Sequence, residues 1–461
     1  MTGEVQGRAP RSYREFNLRF SAFNPADGSF KVWVEGQAPG GAMSPDEAVQ
    51  RNYDAKAFWT NPAMGIGGPL GNLEKRRLDE AGILQFGVQL AALALPEGEI
   101  RSLFERSLAA LGAVEGLRLR LRIDALPLAQ LPWEFLALPE SGSQPQPRDF
   151  LALRDDISIV RSDTVKAPPP KRLKQPVARI AGIFSSPDGQ PELTVDNDRE
   201  LIEAAISRIN AQAKQKLLEP LWVTRPATVH AVEQAFAGQR ADIFHFAGHG
   251  VFDPVVQVGK LLLEKGDYSV EEYSAAQLAS LLHTMDVRLA VLGACQTGRR
   301  DGQNPWGGIA PALVLAQIPA VIANQFSIDT TNAERLVETV YPLVLGGFSV
   351  DEAVAAARGV IFRSSGLAQR DWGSVVHYLG SEDGILFDAS QPDNITEDGK
   401  SVFFDMAVKV RDIMASKATI ADLEHMPDKG IKFTFTGRDV KKEVNDITFL
   451  RYGKNTPEED D

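Results

Sequence analysis

The sequence predicts an α/β protein: a mostly parallel sheet sandwiched by helices, with a β-rich N-terminal region and a small α+β appendage at the C-terminal end. Three observations carry this. Short apolar runs ended by glycine recur through the middle of the chain, as in Asp242-Ile-Phe-His-Phe-Ala-Gly-His249-Gly250 and Leu289-Ala-Val-Leu-Gly-Ala-Cys295-Gln-Thr-Gly298. Such runs suit strands covered on both faces. Segments of helical spacing separate them, which is the alternation of a parallel sheet with crossover helices. Residues 1 to about 40 instead alternate with period two, as half-buried strands do.

In order, Phe16-Asn-Leu-Arg-Phe-Ser and Phe30-Lys-Val-Trp-Val-Glu form a hairpin about the turn at Asn24-Pro-Ala-Asp-Gly28. Residues 37–72 are rich in glycine and proline and read as irregular. Glu74 to Leu93 and Gly98 to Leu111 have helical spacing. Leu117-Arg-Leu-Arg-Leu-Arg-Ile123 alternates cleanly, leucines on one face and Arg118, Arg120 and Arg122 on the other. The arginine face reads as a solvated surface with acidic neighbours, or as a basic groove for an acidic partner. Trp133 and Phe135 are core anchors, Ser141 to Pro147 is a loop, and strand character resumes from Phe150 to Val160.

Lys166-Ala-Pro-Pro-Pro-Lys-Arg-Leu-Lys-Gln-Pro176 divides the chain as a stiff, charged linker or a processing site. The expected organisation is a region 1–165, a core 176–388 and an appendage 395–461. Core strands are expected at Ala178–Phe184, Leu221–Thr224, Asp242–Ala247, Arg288–Leu292 and Ala320–Asn324. Helices are expected at Asp196–Ile209 (opened by Asp and Asn caps), Ala227–Phe236, Ala275–Leu282, Ile309–Gln317, Thr331–Leu345 and Val350–Phe362. Leu261–Leu263 and Tyr268–Val270 read as a small hairpin. Beyond 388, Ser401–Met414 has an amphipathic helical pattern, Ile431 and Ile447 open alternating strands, and the chain ends on an acidic tail.

Composition bounds the function. Two or three domains are expected of 461 residues. A net charge of −12 disfavours nucleic acid as a direct partner. No apolar run reaches the length of a membrane span, and Met1 to Arg8 shows no apolar export signal. A single cysteine excludes an intrachain disulfide and a Cys-rich zinc site, and with no export signal suggests a cytoplasmic, reducing location.

His249 and Cys295 each stand just past the carboxyl end of an expected strand, the edge where open α/β sheets place their chemistry. If those strands are neighbours, an imidazole and a thiol share one crevice. A cysteine attacks as thiolate, and a nearby imidazole takes its proton. The backbone N–H groups of Gly250 and Cys295 are candidates for holding an oxyanion. His245, deeper in its strand, reads as a hydrogen-bonded core residue. Asp253 either orients His249 or caps a turn before Pro254. Asp329 is either a pocket floor for a basic side chain or the N-cap of the next helix. Trp372 either walls the pocket or finishes the core.

The segments His-Phe-Ala-Gly-His249-Gly and Gly-Ala-Cys295-Gln-Thr-Gly resemble the two signatures of CHAT domains, caspase- and separase-like cysteine peptidases of the caspase–haemoglobinase fold. So do Val251-Phe-Asp253-Pro, Leu261-Leu-Leu, Ala276-Gln-Leu-Ala, Trp306-Gly-Gly-Ile-Ala and Ile318-Pro-Ala-Val-Ile-Ala-Asn. The Leu117 strand with Leu131-Pro-Trp-Glu looks like the region ahead of many CHAT cores. The resemblance covers about residues 75–388. It implies His249 as base, Cys295 as nucleophile, no metal or cofactor, and a regulated endopeptidase of bacterial defence or cell death that cuts one or few protein targets. Gly293 ahead of the Ala-Cys pair, and Gln296-Thr-Gly298 after it, depart from the caspase signature and argue against a caspase-like preference for aspartate. The alternatives are a catalytically silent adaptor of the same fold and a phosphate-binding module, the latter without any P-loop lysine pattern. Residues 395–461 are the expected contact for an activating or regulatory partner.

Overall fold

A computed structural model of the chain describes residues 11–61, 66–161, 171–172, 177–213, 216–253, 258–293 and 306–388. The described residues all lie within the unit Met1–Ser416. The expected appendage at 395–461, most of the linker at 166–176, and Cys295 lie outside the described residues.

The N-terminal sheet contains β1 (Ser12–Ser21), β2 (Ser29–Glu35), β3 (Val49–Asn52), β4 (Glu115–Ile123) and β5 (Ile157–Arg161), in the order β3-β2-β1-β4-β5. β1 to β3 pair antiparallel, whereas β1, β4 and β5 run parallel. Two helices, α1 (Glu80–Ala94) and α2 (Glu99–Ala109), lie between β3 and β4 in the chain. The stretch 37–72, expected to be irregular, contributes β3 and the short helix Pro69–Glu74. Val49 and Asn52 sit opposite Val32 and Ser29, so tertiary pairing overrides a glycine- and proline-rich local sequence.

The arginines of β4 correct the sequence reading. Arg118 is fully buried and Arg120 nearly so. Arg118 makes a 2.6 Å ion pair with the equally buried Asp351 and a 2.8 Å one with Glu15. Arg120 reaches Glu15 and the carbonyl of Leu379. A second layer covers the face that alternation alone assigned to solvent, and burial is tolerable because each guanidinium meets carboxylates or carbonyls.

The core sheet is six-stranded, in the order β7-β6-β8-β12-β13-β14. Its strands are β6 (Ala178–Phe184), β7 (Leu218–Val223), β8 (Ile243–Ala247), β12 (Leu289–Gly293), β13 (Ala320–Asn324) and β14 (Val375–Leu379). Five run parallel and β14 closes one edge antiparallel. Between β8 and β12 lies the antiparallel meander β9 (His249–Asp253), β10 (Val258–Glu264) and β11 (Val270–Ser274).

Six helices cover this sheet: α3 (Val195–Ala213), α4 (Val229–Phe236), α5 (Ala275–Thr284), α6 (Trp306–Leu315), α7 (Thr330–Leu345) and α8 (Val350–Ser365). Strand parity assigns the faces. Ile180, Ile243, Leu289, Val291 and Ile322 join a cluster with α3, α7, α8 and the N-terminal sheet. Ala181, Phe244, Phe246, Leu292 and Val321 join a second cluster with α4, α5, α6 and the meander. Both faces are dry, which is why these strands read as continuous apolar runs rather than alternations.

Candidate active site

β8 and β12 are neighbours in register, with Ala247 opposite Gly293. His249 follows Ala247 by two residues and Cys295 follows Gly293 by two. The chain thus leaves both strands at the same sheet edge. Gly248 donates to the carbonyl of Gly293 across that edge. A Cβ on Gly248 would stand 2.7 Å from the carbonyl oxygen of Ser185, so the turn between β8 and β9 needs a residue without a side chain.

His249 opens β9 and is almost fully buried. Its Nε2 lies 2.7 Å from the carbonyl oxygen of Pro191, in the loop between β6 and α3. A carbonyl only accepts, so Nε2 carries the proton and Nδ1 of the neutral ring holds the lone pair. Burial lowers the pKa of the ring, and the bond to Pro191 partly opposes that. Burial thus favours the neutral form of the ring.

The Pro191 loop is itself fixed. Ser185 donates from N to Ala247 and from its hydroxyl to Leu262. Ser186 N donates to the buried carboxylate of Glu264, which also accepts from Arg225 and from Ala227 N. A backbone carbonyl orients the ring, a role that no sequence pattern announces because every residue has one.

The remaining candidates separate. Asp253 ends β9 four residues from His249, about 13 Å along an extended strand. The structure brings Pro191, not Asp253, to the ring. Gly250 pairs with Leu261 in the meander, next to His249. Asp329 is exposed and N-caps α7, its side chain accepting from Thr331 N at 2.9 Å. Trp372 is wholly buried among Phe135, Phe150 and Phe362, with centroids 4.8, 4.8 and 6.2 Å away. This corrects its place as a pocket wall: it finishes the core where the N-terminal region meets the core sheet. His245 bonds Tyr341 through Nδ1 at 2.9 Å, and burial takes its pKa down to about 4. It is the core histidine expected. Among the described residues no His, Cys, Asp and Glu gather as a metal site. None of their helices is long and apolar enough to cross a membrane.

A model of the CHAT domain family matches residues 98–380. The chain belongs to the CHAT domain family. The match takes in β4, β5 and every strand of the core sheet, so the CHAT module here includes part of the N-terminal sheet as well as the strands around His249. No curated protein matches the chain. Among solved structures, the Arg-specific cysteine proteinase gingipain R is 12% identical over 66% of this chain and 68% of its own, with a TM-score of 0.36. The complex of Porphyromonas gingivalis RgpB pro- and mature domains gives 12% identity over 69% of this chain and 71% of that one, with a TM-score of 0.33. The Saccharomyces cerevisiae separase–securin complex gives 13% identity and a TM-score of 0.30, over 60% of this chain and 17% of that one.

Proposed function

We propose that this CHAT protein is a cysteine endopeptidase in which Cys295 is the nucleophile and His249 the base. The observation that carries the reading is the shared register of β8 and β12: both residues follow the pair Ala247 and Gly293 at the same offset. The Pro191 bond, which leaves Nδ1 of His249 as proton acceptor, supports it.

In this reading His249 takes the proton of the Cys295 thiol as Sγ attacks the scissile carbonyl carbon. The N–H groups of Gly250 and Cys295 receive the oxyanion. The tetrahedral intermediate collapses, the carbon–nitrogen bond breaks, and the imidazolium returns its proton to the departing amine. Water, deprotonated by the same ring, then releases the acyl group and frees the thiol. The chemistry needs no metal or cofactor.

The substrate is a protein, cut at one or few sites, and residues 395–461 receive an activating or regulatory partner. Resemblance to CHAT peptidases supports a cytoplasmic role in bacterial defence or cell death. The deciding experiment compares wild type and Cys295→Ala on an unfolded-protein library, with new termini identified by mass spectrometry. Termini produced only by the wild type are expected. Their absence in both, with Cys295 still open to an alkylating reagent, would favour the adaptor reading.

A further inference from the structure

The strand that pairs with His249 also holds the loop that orients it. His249 stands opposite Leu262 on β10, and β10 ends two residues later at Glu264. Glu264 is fully buried. One oxygen of its carboxylate accepts from Ser186 N at 2.9 Å and from Arg225 Nε at 2.7 Å, and the other accepts from Ala227 N at 2.8 Å. The Ser186 hydroxyl in turn accepts from Leu193 N at 3.2 Å, two residues beyond Pro191. These contacts close a circuit through His249, Leu262, Glu264, Ser186, Leu193 and Pro191, whose carbonyl returns to the ring at 2.7 Å.

Burying a carboxylate is costly unless donors surround it. The donors to Glu264 come from two loops, one after β6 and one after β7. β6, β7 and β8 run parallel, so both loops leave the sheet at the edge where β8 delivers His249. The N–H groups of Ser186 and Ala227 are buried with the carboxylate, and a side chain without an acceptor would orphan both. Glu264 thus organises the edge that carries His249 rather than either apolar face of the sheet.

The aim of the Pro191 carbonyl matters because a hydrogen bond weakens steeply as it bends. If the loop drifts, Nδ1 of His249 can carry the proton instead, and the lone pair then faces the loop. Among the described residues, burial and the Pro191 bond are the two influences on the ring's pKa, and they act in opposite directions. Weakening the bond leaves burial unopposed, so the pKa moves further down.

We infer that Glu264 is a positioning residue of this site, fixing through Ser186 and Leu193 the Pro191 carbonyl that selects the tautomer of His249. The inference rests on the peptidase reading for its effect on rate, but not for its effect on the ring.

The test uses the full chain with Glu264→Ala and with Ser186→Ala, the second removing only the hydroxyl that holds Leu193. Melting curves establish that each variant is folded, and if Glu264→Ala is not, Ser186→Ala decides alone. Nitrogen-15 spectra of histidine-labelled Cys295→Ala protein read the tautomer and pKa of His249, its signal assigned among the six histidines with His249→Gln. An Nε2-protonated ring is expected, giving way to mixed tautomers and a lower pKa when either substitution is added. With Cys295 in place, a fluorogenic peptide built on a site cut in the protein library is assayed. Either substitution is expected to lower kcat roughly 10- to 100-fold, the scale of a misplacement of up to an ångström, with KM little changed and the acid limb moved to lower pH. A ring that keeps its tautomer and pKa in folded variants overturns the inference, whatever happens to the rate, and leaves the peptidase reading intact. An altered ring in chains that cut nothing, wild type included, supports the inference while the peptidase reading falls. An unaltered ring without any cleavage overturns both.

Discussion

The Nε2 of His249 lies 2.7 Å from the carbonyl oxygen of Pro191. This contact fixes the ring's tautomer and points its free lone pair away from the loop. Burial holds the ring's pKa below its ordinary 6.5. The kcat/KM of the proposed peptidase should therefore show an acid limb centred below pH 6.5. His249→Ala should cost at least about 100-fold in kcat/KM, the lower end of what general-base catalysis contributes. An acid limb centred above pH 6.5 would remove His249 as the base.

Asp351 should be a point of failure for the whole fold. It is fully buried, receives Arg118 at 2.6 Å and Ser158 at 2.7 Å, and joins α8 to strands β4 and β5. Burial alone would raise its pKa, but the charge and bonds of Arg118 bring it down to about 2. Asp351→Asn leaves a buried guanidinium short of countercharge and should cost about 3–5 kcal/mol, read as a lower urea midpoint. Replacing both partners with apolar residues should recover most of that loss. A single-variant loss below about 1 kcal/mol would mean that the N-terminal sheet does not depend on this pair.

His377, on β14, is fully buried with neither ring nitrogen bonded, and burial takes its pKa down to about 3. Between that value and 6.5 the unfolded chain binds the proton that the folded chain refuses. Its contribution therefore makes stability fall as pH falls through this window. His377→Phe should flatten the dependence between pH 4 and 6 by up to about 1.4 kcal/mol per pH unit. It should cost little stability at pH 8, because no hydrogen bond is lost. Urea unfolding at several pH values measures both. Asp198 acts with the opposite sign, its raised pKa adding stability as pH drops below about 6.

Gly308 in α6 leaves no room for a methyl group. A Cβ there would stand 2.6 Å from the backbone N of Gly259 and 2.7 Å from the ring of Phe252. Gly308→Ala should push α6 from the meander that begins at His249, costing about 1–3 kcal/mol of stability. Activity should fall further than that loss of folded protein explains. Normal kcat/KM in folded Gly308→Ala would show that the meander tolerates the shift.

Trp372→Ala should destabilise by about 3–5 kcal/mol, as removal of a large core aromatic does. Selectivity among peptide substrates should be unchanged, because the indole faces Phe135, Phe150 and Phe362 rather than a cleft. A change in the preferred residue at the scissile bond would return Trp372 to the pocket.

Much of this protein was determined by local sequence alone. The runs Ile243–Ala247 and Leu289–Gly293 are apolar except for His245 because both faces of the core sheet are covered, and glycines end them where the chain must turn. That pattern located the strands, the edge and His249. The tertiary structure decided what depends on residues far apart in the chain. Arg118 looks like part of a wet face until Asp351, 233 residues away, covers it with countercharge. Trp372 and Asp329 resemble pocket residues until packing and capping claim them. The partner of His249 is a backbone carbonyl, which every residue offers and only a folded loop can aim. Periodicity reports whether a residue is covered, whereas only the fold reports by what.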